Sequence, residues 1–354
     1  MTLPDLWFLI IAFFWTGFFV LEGFDFGVGM LHKVVGRTDT EQRVAINSIG
    51  PFWDGNEVWL IVGAAGIFAA FPGWYATWFS AMYLPLVLLL VALIARGVSF
   101  EFRGRMDATR WRQTWSWSLT LGSLLCPLLL GVALGNLLAG LPVDSTEEFT
   151  GSVADTVTGY GLLVGLTLTA LCVLHGATFL AMRTTGQVRT RAQRAASVAL
   201  VPAVLLLLAF AVATPAVSGA PVLRGTVPPV VAVVAVLAAA LLVRAHRDGW
   251  AFTATAVAIA LTVVTLFANL YPNVLVSSTS AADTLTVTST ASGPYALKVM
   301  TVVALVLVPL ILLYQGWSFF VFRRRVIAPP AAVLPEPPDP TTGPSAPLDE
   351  GART

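Results

Sequence analysis

LWFLIIAFFWTGFFVLEGFDFGVGML (6–31) is one unbroken apolar run interrupted by two carboxylates, Glu22 and Asp25. A helix needs roughly 20 such residues to cross the hydrocarbon core, and barrel strands would alternate at period two instead. The run therefore predicts a membrane-spanning helix. The rest of the chain is of the same kind. Of 354 residues, 57% are apolar or aromatic and 11% charged, against roughly 25% charged in an ordinary soluble domain, and the mean hydropathy is +0.82. A soluble globule is excluded. Twenty Lys and Arg against 19 Asp and Glu leave a net charge of +1, too little basic excess for a nucleic-acid partner. No basic residue precedes the first run and no small-residue cleavage pattern follows it, so it is expected to stay as a helix rather than leave as a signal peptide.

Nine stretches have spanning length, near 6–31, 52–71, 75–97, 113–140, 158–182, 195–215, 227–245, 250–270 and 296–322. The expected fold is an all-α integral membrane protein of nine transmembrane helices. A first four-helix bundle occupies 1–140, an acidic outer loop 141–157, a second four-helix bundle 158–270, an outer loop 271–294, an added ninth helix 295–325, and a disordered Pro-rich tail 326–354. Basic residues collect on the cytoplasmic side of membrane proteins, and 18 of the 20 follow odd-numbered spans, Arg96 among them; only Arg224 and Lys298 do not. The amino terminus is expected outside and the carboxyl terminus in the cytoplasm. GFDFGVGMLHKVVGRT (23–38) and GATFLAMRTTGQVRT (176–190) form a weak internal echo, which allows a parallel repeat of four helices. Cys126 and Cys172 fall inside apolar runs and read as small buried hydrophobes.

Glu22 and Asp25 stand three apart on one helix face. An ionisable residue at mid-membrane costs about 2.5–3.5 kcal/mol on insertion scales, so that face must meet protein, water or protons rather than lipid. Asp54 and Glu57, in SIGPFWDGNEVWL (48–60), are again three apart. The helix dipole favours carboxylates in a first turn, an ordinary explanation that weighs more for Glu57 than for Asp54. The functional reading is a ladder of carboxylates, Asp54, Asp25 and Glu22, passing protons inward from the cytoplasmic surface. Gly23 and Gly27 have the spacing that admits a close neighbouring helix.

Three histidines exclude a bis-histidine haem within this chain, because only His175 lies deep in the membrane while His32 and His246 sit at helix ends. No phosphate loop, zinc signature or nucleophile motif is present. Two classes of function remain. One is a membrane subunit delivering protons to a partner; its rival is a stand-alone proton-coupled transporter using the same carboxylates. The rival calls for broken helices at matching places in two halves, and the Gly and Pro interruptions are not paired in that way.

In order along the chain, GFDFGVGML (23–31), GRTDTEQRVAINSIGPFWDGNEVWL (36–60), TRWRQTWSW (109–117), GVALGNLLAGLP (131–142), GATFLAMRT (176–184) and VLVPLILLY (306–314) resemble subunit II of the cytochrome bd-type quinol oxidases. The resemblance covers the chain apart from its tail. It implies a terminal oxidase of the bacterial cytoplasmic membrane, with quinol and O2 as substrates of the complex. Its haem-bearing subunit I would hold two b-type haems and one d-type haem, and this chain no metal or catalytic residue of its own. A structural quinone or lipid, and a small single-helix subunit, are further expectations. By motif position the proton pathway falls on Asp25 and Asp54, with Glu22 and Glu57 beside them. Packing, within the chain or at the subunit interface, falls on Gly23, Phe24, Gly27, Trp53, Asn56 and Trp59. The connection 216–226 is shorter than the resemblance leads one to expect.

Overall fold

A computed structural model describes residues 1–327; beyond Ile327 the expected Pro-rich tail, with Arg353, lies outside the described residues. The described chain forms eleven α-helices: α1 (Leu3–Val35), α2 (Asp39–Ile49), α3 (Trp53–Ala70), α4 (Pro72–Ala81), α5 (Tyr83–Phe102), α6 (Thr109–Ala139), α7 (Gly159–Arg183), α8 (Gly186–Ser218), α9 (Val222–Arg244), α10 (Asp248–Leu270) and α11 (Pro294–Val321). A short antiparallel ribbon, β1 (Asn273–Leu275) and β2 (Leu285–Thr286), lies in the connection before α11.

Eight of these helices are long and apolar enough to cross a membrane. The stretch 52–71 corresponds to α3, which is not among the eight, because Asp54, Asn56 and Glu57 crowd its start. At 18 residues it is about 27 Å long. The stretch 75–97, expected as one helix, is broken at Met82 into α4 and α5. Pro85 is the physical reason: its ring opposes the carbonyl of Ala81 four residues back, and it has no N–H to give. In the second half α7 to α10 run without such a break, so the paired interruptions of a transporter are absent among the described residues.

α1, apolar apart from Glu22, Asp25 and the polar residues of its ends, sits at the centre, the position such a helix must take. It packs on α3 and α6 in its own half, and on α7 and α10 in the other. α7 to α10 pack in sequence around one another, and α7 also lies along α6. α11 touches α1 and α3 along one side and leaves most of its surface exposed.

The seam between the halves is made of glycines. A Cβ on Gly27 would lie 2.0 Å from the Cys172 carbonyl oxygen and 2.7 Å from the Gly176 Cα; one on Gly131 would lie 2.5 Å from the Gly165 Cα. The two echo motifs thus meet each other across the seam. Gly27→Ala should cost about 1–3 kcal/mol, the usual penalty of overpacking, and lower the melting temperature of the purified complex. Gly159→Ala, where a Cβ meets nothing within 4 Å, should leave it unchanged.

α2 is a short polar helix that ties the basic ends together. Thr38 caps it, and Glu41 closes the capping box by accepting from the Thr38 N–H. The same Glu41 carboxylate accepts from the Arg37 N–H at 2.8 Å and from Arg191 Nη1 of α8 at 2.7 Å. The hydrogen bond from Arg191 holds Glu41 below the usual carboxylate range, helped by the backbone N–H donors. A lowered pKa gives stabilisation that is full above the ordinary Glu value and lost as pH falls through the folded one. Glu41→Gln should therefore melt a few degrees lower than wild type at pH 7, with the gap closing in thermal scans taken below about pH 4.3.

Candidate functional site

Two polar contacts join α1 to its neighbours deep inside the apolar bundle. Glu22 Oε1 lies 2.6 Å from Arg96 Nη2 of α5, with both side chains fully buried. Arg96, counted above among the cytoplasmic loop residues, is thereby reassigned to a helix interior; the basic asymmetry keeps its sign with one residue fewer. Its guanidinium is lodged between the rings of Phe26 and Phe100, 4.9 and 5.3 Å from their centroids. α6 approaches closely here because Gly122 has no Cβ, which would lie 2.7 Å from the Ala92 carbonyl oxygen and 2.9 Å from the Arg96 Cβ.

Asp25, one turn on, accepts a 2.7 Å hydrogen bond from Asn56 Nδ2 of α3. The same amide donates to the Leu21 carbonyl at 3.1 Å, and an acceptor-only carbonyl fixes which end of the amide points inward. Asn56 Oδ1 accepts in turn from Gln315 Nε2 of α11 at 2.7 Å. Asp25, Asn56 and Gln315 thus form one chain of side chains through three helices. Capacity is left over: Asp25 Oδ1, Glu22 Oε2, and Nε and Nη1 of Arg96 have no protein hydrogen-bond partner among the described residues. Within 2.6 Å the Glu22–Arg96 contact is an ion pair by distance, but its angle is not that of a hydrogen bond.

The other two carboxylates make no hydrogen bond or ion pair with this cluster among the described residues, although Glu57 lies within electrostatic reach of Arg96, Glu22 and Asp25. Asp54 is exposed in the first turn of α3, the position the helix dipole favours. Glu57 lies beyond that turn, partly buried, on the wall of a cavity of about 1200 Å³ between α3 and α5 that it shares with Leu60, Ile94, Gly97 and Val98. The dipole explanation therefore suits Asp54 better than Glu57, the reverse of the weighting from sequence.

The packing positions are almost wholly internal to the chain. Phe24 stacks on Phe179 of α7 at 4.2 Å, Gly23 faces Cys172, and Trp59 lies over Gly17 and against Phe13 and Phe14. Trp53 stacks on Phe100 at 4.6 Å and so braces the Arg96 pocket. His175 is buried with Nδ1 2.7 Å from the Thr255 hydroxyl and Nε2 3.2 Å from the Val20 carbonyl, its ring stacked on Phe252. Both ring nitrogens are engaged, so these residues do not fit an axial haem ligand.

Arg96 and Gln315 are the residues that sequence reasoning missed. Arg96 follows LVLLLVALIA (86–95), but GVSF (97–100) prolongs the apolar run past it; Gln315 is a lone amide among apolar residues. Removing one partner of a buried pair costs about 3–5 kcal/mol. Arg96→Leu should therefore abolish recovery of assembled complex in mild detergent, and Glu22→Leu/Arg96→Leu should restore most of it.

These features define a multi-pass membrane protein with a cluster of ionisable groups, Glu22, Asp25 and Arg96, buried in its interior. Residues 3–322 match the family model described as cytochrome bd terminal oxidase subunit II. The cytochrome bd ubiquinol oxidase subunit 2 of Bacillus subtilis is 45% identical over 328 residues, covering 92% of this chain and 97% of the relative. The cytochrome bd-I ubiquinol oxidase subunit 2 of Escherichia coli is 36% identical over 362 residues, with 91% and 94% covered. In fold, the chain is similar to the structure of bd oxidase from Geobacillus thermodenitrificans, with TM-score 0.68, 19% identity, and 91% and 99% of the two chains covered. The chain belongs to the cytochrome bd terminal oxidase subunit II family. It is a membrane subunit of a quinol oxidase complex that includes subunit I, which decides against the stand-alone transporter.

Proposed function

We propose that this chain supports the haem-bearing subunit I and delivers cytoplasmic protons to the oxygen-reducing site, without performing redox chemistry itself. In this reading the two b-type haems and the d-type haem belong to subunit I, and the complex takes quinol and O2 in the bacterial cytoplasmic membrane. The nine-span topology, with α3 as the second span, puts the amino terminus outside and the basic ends in the cytoplasm. It divides the chain into two four-helix bundles, 1–140 and 158–270, with α11 added.

The observation that carries the reading is the chain Asp25–Asn56–Gln315 beside the Glu22–Arg96 pair. Buried polar atoms with unused capacity take water, and water joins carboxylates into a proton path. Asp54 would collect protons at the rim, Glu57 would hold them on the wall of the α3–α5 cavity, and Asp25 and Glu22 would pass them on. A carboxylate facing lipid is costly. Glu57 on that wall therefore argues that subunit I covers the α3–α5 face.

In the assembled complex, Asp25→Asn should slow oxygen consumption at saturating quinol about tenfold or more, with normal haem absorbance and an unchanged KM for quinol. That is less than the ~10²–10⁴ contributed by a positioned proton-transfer group, because Glu22 is close enough to share the task. Asp54→Asn and Glu57→Gln should have smaller effects in the same direction. Wild-type turnover in Asp25→Asn at normal haem content would refute the pathway, and loss of haem would assign these carboxylates to assembly instead.

A further inference from the structure

A second cavity, of about 510 Å³, opens on the opposite half of the molecule, between the basic ends of α1 and α8 and the flank of α7. Its walls are apolar and include Leu31, Val34, Val173, Val198 and Pro202. Its mouth is ringed by three guanidiniums, Arg37, Arg191 and Arg194. Of the three, Arg191 is paired with the Glu41 carboxylate. Arg37 and Arg194 are exposed, and neither has a side-chain hydrogen bond or ion pair among the described residues. Four other arginines at this end are spent on carboxylates, Arg43 and Arg103 on Asp39, Arg112 on Asp107, and Arg189 on Asp248. Arg105, Arg110, Arg244 and Arg247 have no such partner among the described residues, but they do not line this apolar cleft.

We propose that this cleft binds one anionic phospholipid of the adjoining leaflet, its phosphate held by Arg37, Arg191 and Arg194 and one acyl chain lying between α1, α7 and α8. Charge and dimensions both select that occupant. Basic pockets between helices at the membrane surface suit anionic headgroups, and guanidiniums match phosphate oxygens in geometry as well as charge. From Arg191 to Pro202 the wall runs eleven residues along α8, about 16 Å, which is one leaflet of a core of about 30 Å. The volume lies within the ~300–1,000 Å³ of sites that enclose a single ligand. A peptide would leave the charged mouth facing an apolar interior with no phosphate to join them; a free phosphate would leave the apolar wall unfilled.

The test uses the assembled complex in detergent micelles. Phosphatidylglycerol and phosphatidylcholine with a photoreactive acyl chain are titrated in, and the cross-linked peptides are identified by mass spectrometry. Wild type should capture phosphatidylglycerol on peptides containing 170–173 and 198–202, and inorganic phosphate at millimolar concentration should not displace it. Arg37→Gln/Arg194→Gln should weaken that capture about thirtyfold, each of the two lost charges contributing about one kcal/mol. Phosphatidylcholine capture should stay unchanged. Val198→Trp, at an exposed position on the wall, should block capture without altering charge, whereas Arg244→Gln/Arg247→Gln at the end of α9 should have no effect. Equal capture of the two lipids, undiminished capture by the Arg37/Arg194 variant, or cross-links elsewhere would overturn the proposal. Displacement by inorganic phosphate would reassign the guanidiniums to the free anion and also overturn it.

Discussion

A carboxylate and a guanidinium, both withdrawn from water and 2.6 Å apart, fix the first half of this protein. A lone ion inside the bundle would face a desolvation cost of several kcal/mol, which the opposite charge across the helix gap offsets. The pair therefore sets where α5 stands along α1. Much of the local sequence serves this contact. Phe26 and Phe100 enclose the guanidinium, Trp53 braces Phe100 from α3, and Gly122 lets α6 close over it. Asp25 carries the same constraint one turn further, through Asn56 to Gln315, and this amide chain is a polar tether for the otherwise exposed α11.

The two halves are joined by different means. Where α1 meets α7, and α6 meets α7, backbones touch through Gly27–Gly176 and Gly131–Gly165. In a membrane the lipid is as apolar as the helix surface, so burying Leu or Val against a neighbour gains little, and close van der Waals packing of small residues takes over. The seam thus needs no charge. At the membrane edge the order reverses: α2, too polar to enter the core, joins α1 to α8 through Glu41 and Arg191.

Much of this was legible in the sequence. Run length located eight of the apolar helices, though not the break inside 75–97 or the polar start of α3, and the spacing of Gly23 and Gly27 announced a close neighbour. Glu22 and Asp25 were marked by the cost of charge in lipid. Tertiary partners were not legible. Arg96 looked like a loop residue because positive charge normally stops at the membrane surface, and only Glu22 across the helix gap makes its burial tolerable. The break at Met82 had a local cause in Pro85, but the surrounding hydropathy masked it. Glu57 and Asp54 were weighted the wrong way round for the dipole argument although 52–71 already put Asp54 in the first turn; what the sequence lacked was the burial of Glu57 on the α3–α5 wall.

The angular arrangement on α1 bears on how such a subunit can work. At roughly 100° per residue, Glu22 and Asp25 lie nearly opposite Gly23 and Gly27. The glycine side is closed against α7; the acidic side faces α3 and α5. A transporter built from repeats places its titratable groups at the repeat interface, where rocking of the halves exposes them alternately. Here the α1–α7 seam is closed by glycine contacts, and the acids lie away from it, on the side of α3 and α5 where Glu57 lines the larger cavity. Acids so placed gain nothing from relative motion of the halves. In the function proposed above they act once another protein covers that face and supplies the far end of the path, and a fixed conduit of that kind is compatible with this geometry where a moving carrier is not.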